Sequence, residues 1–242
     1  MSKETLRIAA ITGAAGALGS ALARTLVDRG YKVALFDTEH AKERLAALAS
    51  SLGADKAFAF ASDFASDVAW STALDATKAA LGGSPTHAAL VAGGWAGGPA
   101  VHDTKDEASY QRMITMNVDS AYRALRALLP AMVAAQDGSI VVIGSRAVER
   151  PWTATGSAAY AASKAAVVTI AQTIAQEVLE RGVRINAILP STMDTPANRA
   201  DMPDADHSKW VSLSSAAGVI AFLLSDEARD VSGAAIPVYG RA

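Results

Sequence analysis

Short apolar runs alternate with longer alanine- and leucine-rich segments along most of the chain, and this rhythm constrains the fold more than any other feature. Residues 6–11, 32–36, 57–61, 88–92, 140–143, 183–188 and 235–239 read as strands. Between them, 18–29, 39–52, 68–81, 110–136, 160–181 and 216–224 read as helices, several followed by a glycine such as Gly30, Gly53 or Gly182. The longest carries Pro130, where a bend is expected. A strand that is apolar at both odd and even positions has no face to offer water, so helices must cover it on both sides. The sequence therefore predicts an α/β fold in which one doubly wound parallel sheet is flanked by helices. Its 242 residues suffice for one full core, and no linker divides them, so residues 1–242 read as a single domain.

Composition removes several classes of function. Lys and Arg number 22 against 24 Asp and Glu, with no basic cluster along the chain, which argues against nucleic acid as a partner. The absence of cysteine excludes disulfides and thiolate metal sites. No run approaches the roughly 20 apolar residues needed to span a bilayer. Met1–Glu4 leads into the first strand without the hydrophobic segment of a signal peptide. The expectation is a cytoplasmic protein with a small-molecule substrate and no membrane partner. The segments 93–109 and 190–210 are rich in Gly, Pro and Asp. They read as loops at the rim of a pocket, since ligands of such sheets bind beyond the carboxyl ends of the strands.

Thr12-Gly13-Ala14-Ala15-Gly16-Ala17-Leu18-Gly19 falls directly between the first strand and the first helix. Glycines there allow a tight turn and bring backbone N–H groups, with the helix N-terminus, up to a pyrophosphate. This is the placement expected of a dinucleotide-binding Rossmann fold. Asp37 ends the second strand, 24 residues after Gly13. A carboxylate there accepts from both adenosine ribose hydroxyls and repels a 2′-phosphate, so NAD(H) is the preferred cofactor. Capping of the following helix is the alternative role for Asp37. The nearby Lys32, Lys42 and Arg44 keep NADP(H) possible. Asp63, after the third strand, suits either an adenine contact or a turn. Ala92, Gly93 and Gly94, after the fourth, suit either a backbone wall against the cofactor or a flexible loop. Trp95, Trp152, Met193 and Trp210 offer either stacking surface to a flat ring or ordinary packing.

Tyr160 and Lys164 are four residues apart on a predicted helix, hence on one face. A phenol titrates near 10, and a neighbouring ammonium favours its ionised form. Ser145, just past the fifth strand, can hydrogen-bond a carbonyl or developing alkoxide. Asn117, in the long helix, could complete a proton path through water. Together these residues suit hydride transfer at a nicotinamide, with Tyr160 as general acid/base.

These pieces resemble the short-chain dehydrogenase/reductase family over nearly the whole chain. The resemblance rests on residues 12–19, Asn117-Val118-Asp119-Ser120, Ser145, Tyr160-Ala161-Ala162-Ser163-Lys164 and Asn186-Ala187-Ile188-Leu189-Pro190. It implies a catalytic tetrad of Asn117, Ser145, Tyr160 and Lys164. It implies that Lys164 also binds the nicotinamide ribose and that Pro190 and Thr192 to Thr195 pack on the carboxamide and phosphates. It further implies a homodimer or homotetramer built through the long helices. The chain departs from the family pattern in three places. Its glycines fall at 13, 16 and 19 rather than in the commoner TGxxxGxG spacing. Ala92-Gly93-Gly94 replaces an asparagine-containing stretch. Ser145 lies 15 rather than about 13 residues before Tyr160, so residues near Pro151 are expected to loop out. Residues 91–98 and 189–199, with Met202-Pro203 and Trp210, also resemble quinonoid dihydropteridine reductase locally. In that enzyme the tyrosine–lysine pair is kept without the asparagine and serine. Retention of Asn117 and Ser145 favours carbonyl or alcohol chemistry, with pterin reduction second and a non-enzymatic dinucleotide sensor as the reading of a different class.

Overall fold

A computed structural model describes residues 6–241. Its frame is a seven-stranded sheet, β1 (Ile8–Thr12), β2 (Lys32–Asp37), β3 (Ala57–Ala61), β4 (His87–Leu90), β5 (Gly138–Ile143), β6 (Val183–Pro190) and β7 (Ala235–Val238). The spatial order is β3-β2-β1-β4-β5-β6-β7, and every neighbouring pair is parallel. The helices are α1 (Ala17–Asp28), α2 (Lys42–Leu52), α3 (Asp67–Leu81), α4 (Ala108–Met113), α5 (Ser120–Ala135), α6 (Ala158–Glu177), α7 (Pro196–Asp201) and α8 (Leu213–Leu224).

Both faces of the sheet are buried, for the reason the strand composition gives. Along β1, Ile8 and Ala10 join a core with Trp70 of α3, Leu125 of α5 and Val167 of α6. Ala9 and Ile11, pointing the other way, join Leu18 and Leu22 of α1, Leu45 of α2 and Ile220 of α8. The strand order reverses at β1, which pairs with β2 on one side and β4 on the other. A crevice opens beyond the carboxyl ends of the strands at such a switch point.

Local signals set the helix ends. Ser66 accepts from the Ala69 N–H at 3.3 Å at the start of α3, and Gly82 ends that helix with φ +88°. Ser212 accepts from the Ser215 N–H at 3.1 Å at the start of α8. One sequence expectation is corrected. The helical stretch 108–135 is irregular at Ile114–Asp119, a π-helical segment between α4 and α5, whereas Pro130 sits inside the regular helix α5. A widened turn shifts the helix face by a residue, and such turns gather at functional sites. Asn117 lies in it, 1% exposed. The first strand also begins later than expected, at Ile8, with Leu6 exposed before it. Among the described residues, no helix is long and apolar enough to cross a membrane.

Candidate active site

The crevice has a cofactor half and a reacting half. In the cofactor half, Gly13 turns with φ +64°, and a Cβ on it would stand 2.9 Å from Ala92 backbone atoms. A Cβ on Gly19 would stand 2.3 Å from the Gly13 carbonyl oxygen, so these two glycines seat α1 against the loop. Gly16 precedes the first turn of α1 in an extended conformation. The N–H groups of Ala17, Leu18 and Gly19 that follow have no partner within the helix. The 13-16-19 spacing thus still builds a tight turn with free donors. Thr12 Oγ1 accepts from the Ala92 N–H at 3.1 Å and ties the ends of β1 and β4 together.

Asp37 ends β2 beside this turn. Its carboxylate accepts from the Ala15 N–H at 2.9 Å and the Thr38 N–H at 2.8 Å. One lone pair on each oxygen stays available for a ribose hydroxyl. Asp63 Oδ1 accepts from the Ala65 N–H at 3.0 Å and forms a turn there. Of the nearby cations, Lys32 donates to the Leu81 carbonyl and Lys42 pairs with Glu39. Arg44 instead lines a depression of about 330 Å³ with Ala15, Ser20 and Arg24. The turn, the open helix start and the Asp37 carboxylate fit a dinucleotide.

The reacting half joins three elements. Ser145 follows β5 and starts a short 3-10 turn, its hydroxyl accepting from the Ala147 N–H at 3.2 Å. A second 3-10 turn, at Pro151–Ala154, lies between Ser145 and Tyr160. Tyr160 and Lys164 come from the first turns of α6, and Ser145 remains beside Tyr160. Asn117 reaches in from the π-helical segment. Its Oδ1 accepts from the Gly94 N–H at 2.9 Å, while its Nδ2 donates to the Gly94 carbonyl at 3.1 Å and to Ser163 Oγ at 2.9 Å. A Cβ on Gly93 would stand 2.5 Å from Asn117 Oδ1 and 3.3 Å from Lys164 Nζ. Ala92-Gly93-Gly94 is thus held as a wall of the site.

Electrostatics correct one expectation. Lys164 is 6% exposed, and its Nζ donates to the Ile143 carbonyl at 2.9 Å. Burial alone brings its ammonium down to about 8. Tyr160 is pushed above its ordinary value by burial, and the Ser145 side chain draws it partly back. Desolvation, rather than the Lys164 charge, therefore governs the phenol in this protein. Desolvation always favours the neutral form, whichever sign the ion carries.

Beyond β6, Thr192 accepts from the Val211 N–H through its carbonyl, 2.9 Å away. Thr195 Oγ1 accepts from the Asn198 N–H at 3.1 Å and caps α7. That cap uses the Thr195 hydroxyl as an acceptor and leaves its proton free to donate. Pro190 is buried at the end of β6. The loop after β4 is tied to the 150s by the Gly98 N–H to Gly156 carbonyl bond at 2.8 Å. Trp95, 61% exposed, lies against Gly97 in that loop, and Trp152 is also exposed. The sequence reading missed Ser163 as a site residue, although its place three residues after Tyr160 puts it on the same helical face.

A parallel sheet with a glycine turn after β1, an acidic end to β2 and a tyrosine–lysine pair beside a serine defines an NAD(P)-dependent oxidoreductase. A model of the short chain dehydrogenase family matches residues 7–206. The chain belongs to that family. It is 34% identical over 254 residues to 2-(S)-hydroxypropyl-CoM dehydrogenase 3 of Xanthobacter autotrophicus, covering 96% of this chain and 95% of the relative. It is 29% identical over 247 residues to the 2,5-dichloro-2,5-cyclohexadiene-1,4-diol dehydrogenase of Sphingobium indicum, covering 97% and 95%. Among solved structures, a 3-ketoacyl-(acyl-carrier-protein) reductase from Brucella melitensis complexed with NADH superimposes with a TM-score of 0.87 at 26% identity, covering 97% of this chain and 98% of that one.

Proposed function

We propose that the protein interconverts a small alcohol and its carbonyl compound with NAD(H), Tyr160 moving the proton at the substrate oxygen. The observation that carries this reading is the convergence of Ser145, Tyr160 and buried Lys164 at the carboxyl edge of β5. Bound NAD(H) supplies or accepts the hydride. The Ser145 hydroxyl donates to the substrate oxygen and holds it towards Tyr160. The Tyr160 phenol gives its proton to that oxygen in reduction and recovers it in oxidation. Lys164 anchors the base of the site through Ile143 and offers its remaining N–H groups to a ribose. Asn117 and Gly93-Gly94 close the site on the β4 side.

Exposed Trp95 and Trp152, on loops tied to each other, support a substrate with a flat or cyclic apolar framework. The Sphingobium indicum relative named above is a dehydrogenase of a cyclic diol. The same exposed Trp95 supports the second reading, reduction of a quinonoid dihydropterin. The test is NADH oxidation with a panel of cyclic ketones and, separately, chemically generated quinonoid dihydropterin. Saturable turnover of a ketone supports the first reading, and turnover of the pterin alone supports the second. Tight NADH binding with no turnover in either set would favour the sensor and overturn both.

Cofactor choice follows from Asp37. NADH should bind more tightly than NADPH, because a 2′-phosphate would meet the carboxylate. Asp37→Ala should narrow that gap about tenfold or more, the size of one charge contact near a protein surface. Titration of nicotinamide fluorescence measures both affinities. An unmodified protein that already prefers NADPH would refute the role of Asp37 and point to Arg24 and Arg44.

A further inference from the structure

We infer that Ser163 is a positioning residue of the active site, joining Asn117 to the first turn of α6 so that the β4 wall and the Tyr160–Lys164 pair move as one unit. This rests on the assignment of Tyr160 and Lys164 above. Ser163 is 0% exposed. Its Oγ donates to the Tyr160 carbonyl at 2.8 Å and accepts from Asn117 Nδ2 at 2.9 Å. A hydroxyl has one proton, and here it is committed to Tyr160, so the Asn117 amide must be the donor. That fixes the amide's orientation, leaving Oδ1 for the Gly94 N–H. The second amide hydrogen goes to the Gly94 carbonyl, with the Met113 sulfur farther off at 3.9 Å.

Two consequences follow from this count of donors and acceptors. The Asn117 side chain is occupied by Gly94 and Ser163, so it acts on the reaction through placement rather than through a proton relay of its own. Ser163 carries the side-chain hydrogen bond from Asn117 to α6, because the other side-chain hydrogen bonds of Asn117 run to the β4 loop and to its own helical stretch. Gly93 completes the unit. A Cβ built on it would meet both Asn117 Oδ1 and Lys164 Nζ, so Gly93 sits between the two side chains and a movement of Asn117 would open the space over the lysine. The serine therefore keeps water from Lys164 as well as keeping Tyr160 in register.

The experiment compares Ser163→Ala, Ser163→Thr, Asn117→Ala and the double variant Ser163→Ala/Asn117→Ala with the unmodified protein and Tyr160→Phe. Ser163→Ala should bind NADH within about twofold of the unmodified protein. It should lose about 10- to 100-fold in kcat on whichever cyclic ketone of the panel is turned over, the scale of a small misplacement at a reacting centre. Ser163→Thr, which restores the hydroxyl, should recover most of that loss. In the Asn117→Ala background the serine change should cost nothing further, since its target is gone. A readout without turnover is the titration of Lys164 by carbon-13 NMR of its ε-methylene, which should move upward in Ser163→Ala as water reaches the ammonium. An unchanged kcat and an unchanged Lys164 titration in Ser163→Ala would overturn the inference, as would full additivity with Asn117→Ala. If Tyr160→Phe also leaves turnover unchanged, the assignment of the site fails instead.

Discussion

Tyr160→Phe should bind NADH as the unmodified protein does and lose about a thousandfold in turnover, within the range seen when a positioned acid/base is removed. The substitution deletes one oxygen and leaves the ring, so packing at the start of α6 is retained. What disappears is the phenol beside Ser145. Burial raises the Tyr160 phenol, with Ser145 partly opposing it, so at neutral pH the residue holds its proton. Ketone reduction needs that proton and should be level through neutrality. Alcohol oxidation needs the phenolate, and its rate should climb by about tenfold per pH unit below the pKa. Steady-state rates in both directions between pH 6 and 10 test this. Turnover that survives in Tyr160→Phe, or an oxidation rate flat with pH, would remove Tyr160 from the reaction.

Lys164→Met should abolish most turnover yet make the cofactor-free protein more heat-stable at pH 7. Lys164 is buried, has a single carbonyl partner, and titrates near 8 instead of at its ordinary value of 10.5. Its charge at pH 7 is therefore held at a cost, about 3 kcal/mol for such a depression. Methionine fills a similar volume without charge, and the lost bond to Ile143 takes back about 1 kcal/mol. The sign of the pH dependence follows from the two pKa values. Between about 8 and 10.5 the unfolded chain binds more protons at this site than the folded one, so stability of the unmodified protein rises with pH across that window. The variant lacks this rise, and its advantage should shrink from pH 7 to 9.5. Thermal unfolding at both values measures it. A variant less stable at pH 7, with a gap independent of pH, would show that Lys164 carries no buried charge.

Much of the architecture is legible in the sequence, because it depends on short-range pattern. The both-faced apolarity of residues such as Ile8, Ala9, Ala10 and Ile11 requires cover on two sides, and the sheet has it. The place of Gly13 after the first strand, Asp37 at the end of the second and the four-residue step from Tyr160 to Lys164 are all one-dimensional facts. They place a glycine turn after β1, a carboxylate at the end of β2 and the tyrosine–lysine pair on one helical face. Pro130 misled the reading of the long helix. A proline within a helix removes one hydrogen bond, but the departure from α-helical geometry falls at Ile114–Asp119, where Asn117 is drawn against Gly94 and Ser163. That contact joins segments 23 and 46 residues away.

What the sequence determined by itself is the parallel two-faced sheet, the glycine turn between β1 and α1 and the placement of Tyr160 and Lys164 on one helical face. Only the tertiary structure decided how those residues are charged and how they are held. It set Asp63 in a turn with Ala65, made the Thr195 hydroxyl the acceptor that caps α7 and occupied the Asn117 amide. It also made desolvation the governing influence on both Tyr160 and Lys164. The physical reason is one of range. Periodicity and turn chemistry are written in neighbouring residues, whereas a pKa and a saturated amide depend on every group that folding brings within a few ångströms.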